Sequence, residues 1–355
     1  MNPRVMKTLR LVAGLGLCLG VMVGQPGVAY PASSSGVKIL KVAVAFPRSR
    51  KAAIAEKKYN KRLAEMTDGE VQFRVYWGGA AGGERDVLRK MRTGQIDGSP
   101  FGLEIVSNFV REALVLQSPG LFLNYKQVDA VRAALTPEFD KEAYRNGFQI
   151  LGWGDVGRLR LFSKHHILMP DDLKRVRPWL YPESETLKSL YRLIGATGVP
   201  LGIHEVYGAM ETGMIDTFWG TAVIAGALQW HRTGKYISAD GLGFISGAFA
   251  LRREAWDSLS QRGKDAIMQI VKEQARDNQL EMRRDDDKAY KKLLSRGYSA
   301  IEGTPTARDA WWGVGMKLRK QLVGRIYTTD LVKRAEDIAL QFADKEQRER
   351  FAAGR

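Results

Sequence analysis

Eight side chains stand at or near the ends of predicted strands with chemistry suited to holding a small molecule. Trp77, Trp153, Trp179, Phe218 and Trp219 supply flat apolar faces, and Arg48, Arg158 and Glu183 supply charge. Strand ends are where open α/β sheets bind ligands. Aromatic rings stack with few rotamers to freeze, and a few convergent polar groups fix a ligand's orientation. That chemistry is recognition, without bond-making. Each Trp also fits core packing, and Arg158, like its neighbour Arg160, also fits a surface charge; both readings stand open at the level of sequence.

Catalytic residues form no motif. There is no G-x-S-x-G elbow, no H-E-x-x-H, no phosphate loop and no G-x-G-x-x-G after a strand. The glycine-rich run 78–83 lacks the Lys-Ser/Thr ending and reads as a turn. His165 and His166 are adjacent and cannot share one face of an element, and neither His204 nor His231 has a ligand spacing. Asp285, Asp286 and Asp287 lack the glycine and terminal Glu of a calcium loop. The expectation is no metal, no cofactor and no enzyme activity.

The elements that must position the eight residues are written partly in duplicate. MRTGQID at 91–97 returns as METGMID at 210–216, with an acid and a valine at matched places upstream in both copies. Each copy reads as loop, helix, glycine stop and strand, with helices over 84–93 and 205–212. Gly94 and Gly213 are placed to end their helices in the left-handed conformation. Asp97 and Asp216 then cap or brace the corner that follows. Copies so far apart fit two lobes of similar build, not a solenoid. Alternation over 71–77 predicts a strand, and 39–46 and 149–154 predict two more. A long charged amphipathic helical region runs over 255–294, and 307–342 adds one or two helices, which are candidates for mediating a dimer although a monomer is expected. No flexible linker appears after residue 37, so the lobes are joined by more than one short crossing.

The chain has 355 residues, more than one core usually serves. Its front end reads as a secretory signal peptide over 1–29: Arg4, Lys7 and Arg10, an apolar run over 11–23, and small residues for cleavage after Ala29. Residues 30–37 read as a flexible leader. The only cysteine, Cys18, leaves with the signal, so the mature chain has no thiol chemistry. The formal charge is +16, falling to about +13 once the three basic signal residues are removed. The charges are scattered and no nucleic-acid motif accompanies them, so nucleic acid is not an expected partner.

Five segments together carry a resemblance: FRVYWGGAAGGERDVLRKMRTGQID, ILGWGDVGRLRLFSK, PDDLKRVRPWL, GATGVPLGIHEVYGAMETGMID and ALQWHRTGKYI. Over residues 37–303 the chain resembles the DctP-type solute-binding subunits of TRAP (tripartite ATP-independent periplasmic) transporters. The resemblance implies an α/β, two-lobed periplasmic binding protein of type II-like build, each lobe a mixed sheet flanked by helices, with the ligand cleft between lobes. Lobe I is expected over 38–160 plus about 250–290, and lobe II over 161–249 plus about 291–350. It further implies a small organic ligand, often an organic acid, and membrane permease subunits as partners in the periplasm. The family's carboxylate-clamping arginine follows the PDDLK segment; Trp179 stands at that place here. A second customary arginine is Leu159, between Arg158 and Arg160, and the Asn that often follows the second Asp is Thr217. These departures argue against a simple carboxylate ligand and for an aromatic pocket. The rival readings are a sensing module for a signalling partner, a periplasmic hydrolase and a polyanion binder.

Overall fold

The computed structural model describes residues 36–354; the signal peptide and most of the leader expected before residue 38 lie outside the described residues. Eleven strands follow in chain order: β1 Lys38–Ala43, β2 Val71–Tyr76, β3 Gly98–Gly102, β4 Phe148–Arg158, β5 Arg160–Ser163, β6 Trp179–Leu180, β7 Val199–Pro200, β8 Thr217–Gly220, β9 Tyr236–Ser238, β10 Phe244–Arg252 and β11 Ser299–Ile301. They form a first sheet of order β2-β1-β3-β10-β4, a second of order β11-β9-β5-β8, and the small pair β6-β7. β1 runs parallel to β2 and β3, whereas β10 is antiparallel to β3 and β4. Each sheet and its helices make one lobe of a two-lobed α/β fold.

Both sheets bury both faces, and strand alternation divides each into two cores. Phe148, Ile150, Ala248 and Ala250 enter one core of the first sheet, and Leu151 and Leu251 enter the other. On the second sheet, Phe162 and Phe218 face one way while Leu161 and Trp219 face the other.

The duplicated motif folds as the same corner twice. Gly94 and Gly213 take φ of +74° and +73°, a region that costs most side chains energy but not glycine. In the first copy the Asp97 carboxylate accepts the backbone N–H of Lys41 at 2.8 Å and Arg252 Nε–H at 2.8 Å. In the second, Asp216 accepts the backbone N–H of Arg177 at 2.9 Å and Arg177 Nε–H at 3.3 Å. Each aspartate therefore ties the new strand to the extended chain beside it and is paired with an arginine. The pair braces the scaffold.

The lobes are joined at four places, one of them the helix Pro305–Leu322, which leaves β11 of the second sheet and carries Leu318 and Leu322 into a core of the first. A single residue, Leu159, separates β4 from β5, and it exchanges backbone hydrogen bonds with Gly243 (2.9 Å) and Leu242 (2.8 Å) on the return crossing from β9 to β10. The third link is the 35-residue helix Gln261–Ser295, begun by Ser260, whose hydroxyl caps Gly263 N–H. It packs Ile267 and Ile270 into the first lobe and Leu293 into the second. Midway, the buried Asp286 accepts N–H groups from Arg158 (3.1 Å) on the first sheet and Val223 (3.0 Å) behind the second. Gly157 lets this carboxylate approach, since a Cβ there would lie 2.5 Å from Asp286 Cγ. Beside it Arg283 bridges Asp129 and Asp155, and Arg132 joins both. Among the described residues, no helix is long and apolar enough to cross a membrane.

Candidate functional site

The strand ends of the two sheets and the helix Pro305–Leu322 enclose a cavity of about 750 Å³. This size suits a small organic molecule. Its walls are largely apolar. Trp179, Trp219, Trp230, Trp311 and Trp312 border it, and Gly315 lets the helix close against Gly120, where a Cβ would meet backbone at 3.0 Å. Three of the indoles are anchored through their N–H groups. Trp179 donates to Leu201 O at 2.8 Å, Trp219 to the Tyr191 hydroxyl at 3.1 Å, and Trp311 to Leu168 O at 2.9 Å. Their rings are fixed and their polar atoms are spent. Trp312 Nε1–H is shielded from water and makes no hydrogen bond among the described residues.

Charge gathers in two regions of the wall. At the junction of β4 and β5, the Arg158 guanidinium lies 5.3 Å from the rings of both Tyr125 and Phe244, an arrangement that favours a cation. Arg160, 4% exposed, donates to Ser238 O and Ala239 O and covers the Tyr290 ring at 4.0 Å, while its Nε–H is unpartnered. Burial pulls Arg160 below its ordinary pKa. Near the end of β3 stand two carboxylates. Glu84 opens the helix Glu84–Arg92 and accepts Gly102 N–H at 3.0 Å; Glu104, in the short helix Leu103–Val106, accepts the Ser184 hydroxyl at 2.8 Å. Burial raises both acids, Glu104 to about 7, with the charges of Glu84 and Glu185 adding to the effect. Tyr181, the hydrogen-bond partner of Glu84, is raised by burial and then by the surrounding acids.

Of the eight residues read from the sequence, Arg158, Trp179 and Trp219 border this cavity. Phe218 does not: it is one step along β8 from Trp219, so alternation turns it away, and its ring stacks on Phe162 at 4.7 Å. Trp153 points to the helix side of β4, where Nε1–H donates to Asp140 at 2.8 Å and the ring meets Phe139. Arg48 and Trp77 converge on Glu56, each at 3.1 Å, around a separate depression along the helix Arg50–Thr67. Glu183 pairs with Arg85 at 3.7 Å just outside the cavity. The bordering residues that sequence reasoning missed are chiefly Glu84, Glu104, Tyr181, Trp311 and Trp312. Glu84 and Glu104 both lie in first turns of helices, where acids are usual for dipole reasons, and nothing in spacing separates them from ordinary caps. Among the described residues no three His, Cys, Asp or Glu side chains group as metal ligands.

Residues 43–323 match the family model for bacterial extracellular solute-binding protein, family 7. The C4-dicarboxylate-binding periplasmic protein of Vibrio cholerae is 21% identical over 259 residues, which cover 73% of this chain and 78% of the relative. Among solved structures, a TRAP periplasmic solute-binding protein from Sulfurospirillum deleyianum with bound succinate superposes with a TM-score of 0.77 at 19% identity, covering 85% of this chain and 99% of that one. One from Sulfitobacter with bound β-D-galacturonate gives 0.77 at 17% identity, covering 84% and 100%.

Proposed function

Because the chain belongs to the bacterial extracellular solute-binding proteins of family 7, we propose that it captures a small organic ligand between its lobes in the periplasm and delivers it to a TRAP-type membrane permease. The observation that carries this reading is the cavity of about 750 Å³ bordered by both sheets, with Arg158 on the first and Trp179 and Trp219 toward the second. A ligand touching both walls binds the closed arrangement better than an open one, which is the differential affinity that a hinge motion requires. Leu159, the 239–243 crossing and the long helix are the hinge. The protein acts as a monomer, after removal of an N-terminal signal, and releases its ligand unchanged. The related proteins with bound succinate and galacturonate support an organic acid or a molecule carrying a carboxylate. Arg158 is the cation placed to receive it, since Trp179 occupies the place of the family's clamp.

The test is a thermal-shift screen of the mature protein, refolded to strip any carried ligand, against carboxylic acids, amino acids, amines, sugars and aromatic compounds. A ligand at 100 times its Kd adds about 2.7 kcal/mol of stability. A saturable hit lost in Arg158→Gln or in Trp219 variants supports the proposal. A screen without hits, or chemical conversion of the bound compound, contradicts it.

A further inference from the structure

The Glu84–Glu104 corner holds charge that the protein does not neutralise. Both carboxylates border the cavity, and among the described residues neither makes an ion pair. The two nearby cations are spent elsewhere: Arg85 turns to Glu183 at 3.7 Å, and Lys188 turns to Glu185 at 2.7 Å. Glu84 accepts Gly102 N–H and the Tyr181 hydroxyl, and Glu104 accepts the Ser184 hydroxyl on one oxygen. The second oxygen of Glu104, Oε2, is shielded from water and accepts no hydrogen bond among the described residues. A carboxylate withdrawn from water without a cation is among the costliest arrangements a fold can hold, and a second one beside it adds repulsion.

We propose that this corner receives a protonated nitrogen of the ligand, an amine or amidinium, so that the solute is a cationic or zwitterionic organic molecule with an apolar body. The inference rests on the solute-binding reading and narrows its substrate class. The Glu104 carboxylate takes one N–H of the cation, Glu84 supplies the second negative charge, and the indoles of Trp179, Trp219 and Trp311 cover the body. Arg158 stands apart from the acids. Gly102 and Arg158 pair with Gly247 and Phe244 on β10, so their backbones are separated by two strand spacings and three residues of register, roughly 14 Å. A zwitterion that satisfies both ends carries its charges at opposite ends, as in an ω-amino acid, and not on one carbon.

The test uses two matched sets of probes on refolded, full-length mature protein: 6-aminohexanoate against hexanoate and hexanedioate, and 4-(aminomethyl)benzoate against 4-methylbenzoate. The nitrogen-bearing member of a set is expected to bind at least roughly 10-fold more tightly than its matched acid. Glu104→Gln should weaken that member by roughly 10- to 100-fold without weakening the plain acid, which loses a repulsion. Glu84→Gln is the second variant, should the first fail to fold. Equal or tighter binding of the plain acids, or amine binding untouched by both variants, overturns the inference and leaves solute binding intact. If neither set binds, the compound found by the broad screen decides in the same way, by whether it carries a protonated nitrogen. A blank broad screen removes the solute-binding reading itself.

Discussion

Glu104 ties the account of the site to a stability measurement that needs no ligand. Its carboxyl group is held at about 7 by burial first, then by repulsion from Glu185 and Glu84, against the help of Ser184 and Lys188. In the unfolded chain it returns to an ordinary value near 4.5. Between those values the folded protein keeps a proton that the unfolded chain has lost. Raising the pH through this window therefore favours unfolding: the unliganded protein loses stability from about pH 4.5 to about pH 7 and no further above that, so far as this group is concerned. The gap corresponds to about 3 kcal/mol. Spread over a chain of this size, with about 2 cal/mol/K of unfolding entropy per residue, it amounts to roughly 4–5 °C in Tm. Glu104→Gln keeps the shape and removes the titration. Calorimetric scans of both proteins between pH 5 and pH 8 should show the variant close to the wild type at pH 5 and several degrees more stable at pH 8. Curves that stay parallel, or a variant less stable at pH 8, would refute the claim that Glu104 is an uncompensated buried acid.

Three further outcomes follow from the geometry. Asp286→Asn cannot accept from both Arg158 N–H and Val223 N–H, so it should cost about 2 kcal/mol in denaturant unfolding and loosen the hinge to proteolysis near residues 157–160; a change below 0.5 kcal/mol would remove Asp286 as the brace between lobes. Trp179→Ala should destabilise the unliganded protein by about 3–5 kcal/mol, because the ring is 6% exposed and meets Trp230 at 5.2 Å, and an unchanged Tm would show it is no part of the core. Binding at that wall is therefore read from Trp179→Phe. Arg158→Gln should weaken a carboxylate-bearing ligand roughly 10- to 100-fold with little change in Tm, whereas Arg48→Ala and Trp77→Phe, at Glu56, should leave affinity unchanged; the reverse pattern, measured by titration calorimetry, would move the site to the depression near Glu56.

The scaffold was legible in the sequence because its signals are local. The glycine stops at 94 and 213 and the aspartates after them announce the same corner twice, and each does the same work with a backbone N–H and an arginine. The wall of the cavity was legible only in part. The sequence places Phe218 and Trp219 on one strand, but which of them faces the cleft depends on the side from which helices cover the sheet. Trp77 and Trp153 stand near strand ends, yet their indole N–H groups are claimed by Glu56 and Asp140, acids 21 and 13 residues earlier on the helices that cover the sheet. The acidic corner was hidden for another reason. Glu84 and Glu104 lie 20 residues apart and meet only because β3 brings Gly102 beside the start of a helix. The helix Pro305–Leu322 reads as generic amphipathic sequence, and its role in closing the cavity with Trp311 and Trp312 comes entirely from tertiary packing.

The most direct test of solute capture is to denature the protein as purified from its native periplasm, identify by mass spectrometry any small molecule released, and titrate that molecule back into the refolded chain by calorimetry. One chemically unchanged compound is expected, bound one per chain, with binding that weakens in both Arg158→Gln and Glu104→Gln. A compound that returns altered, or that binds both variants as tightly as the wild type, would contradict that expectation.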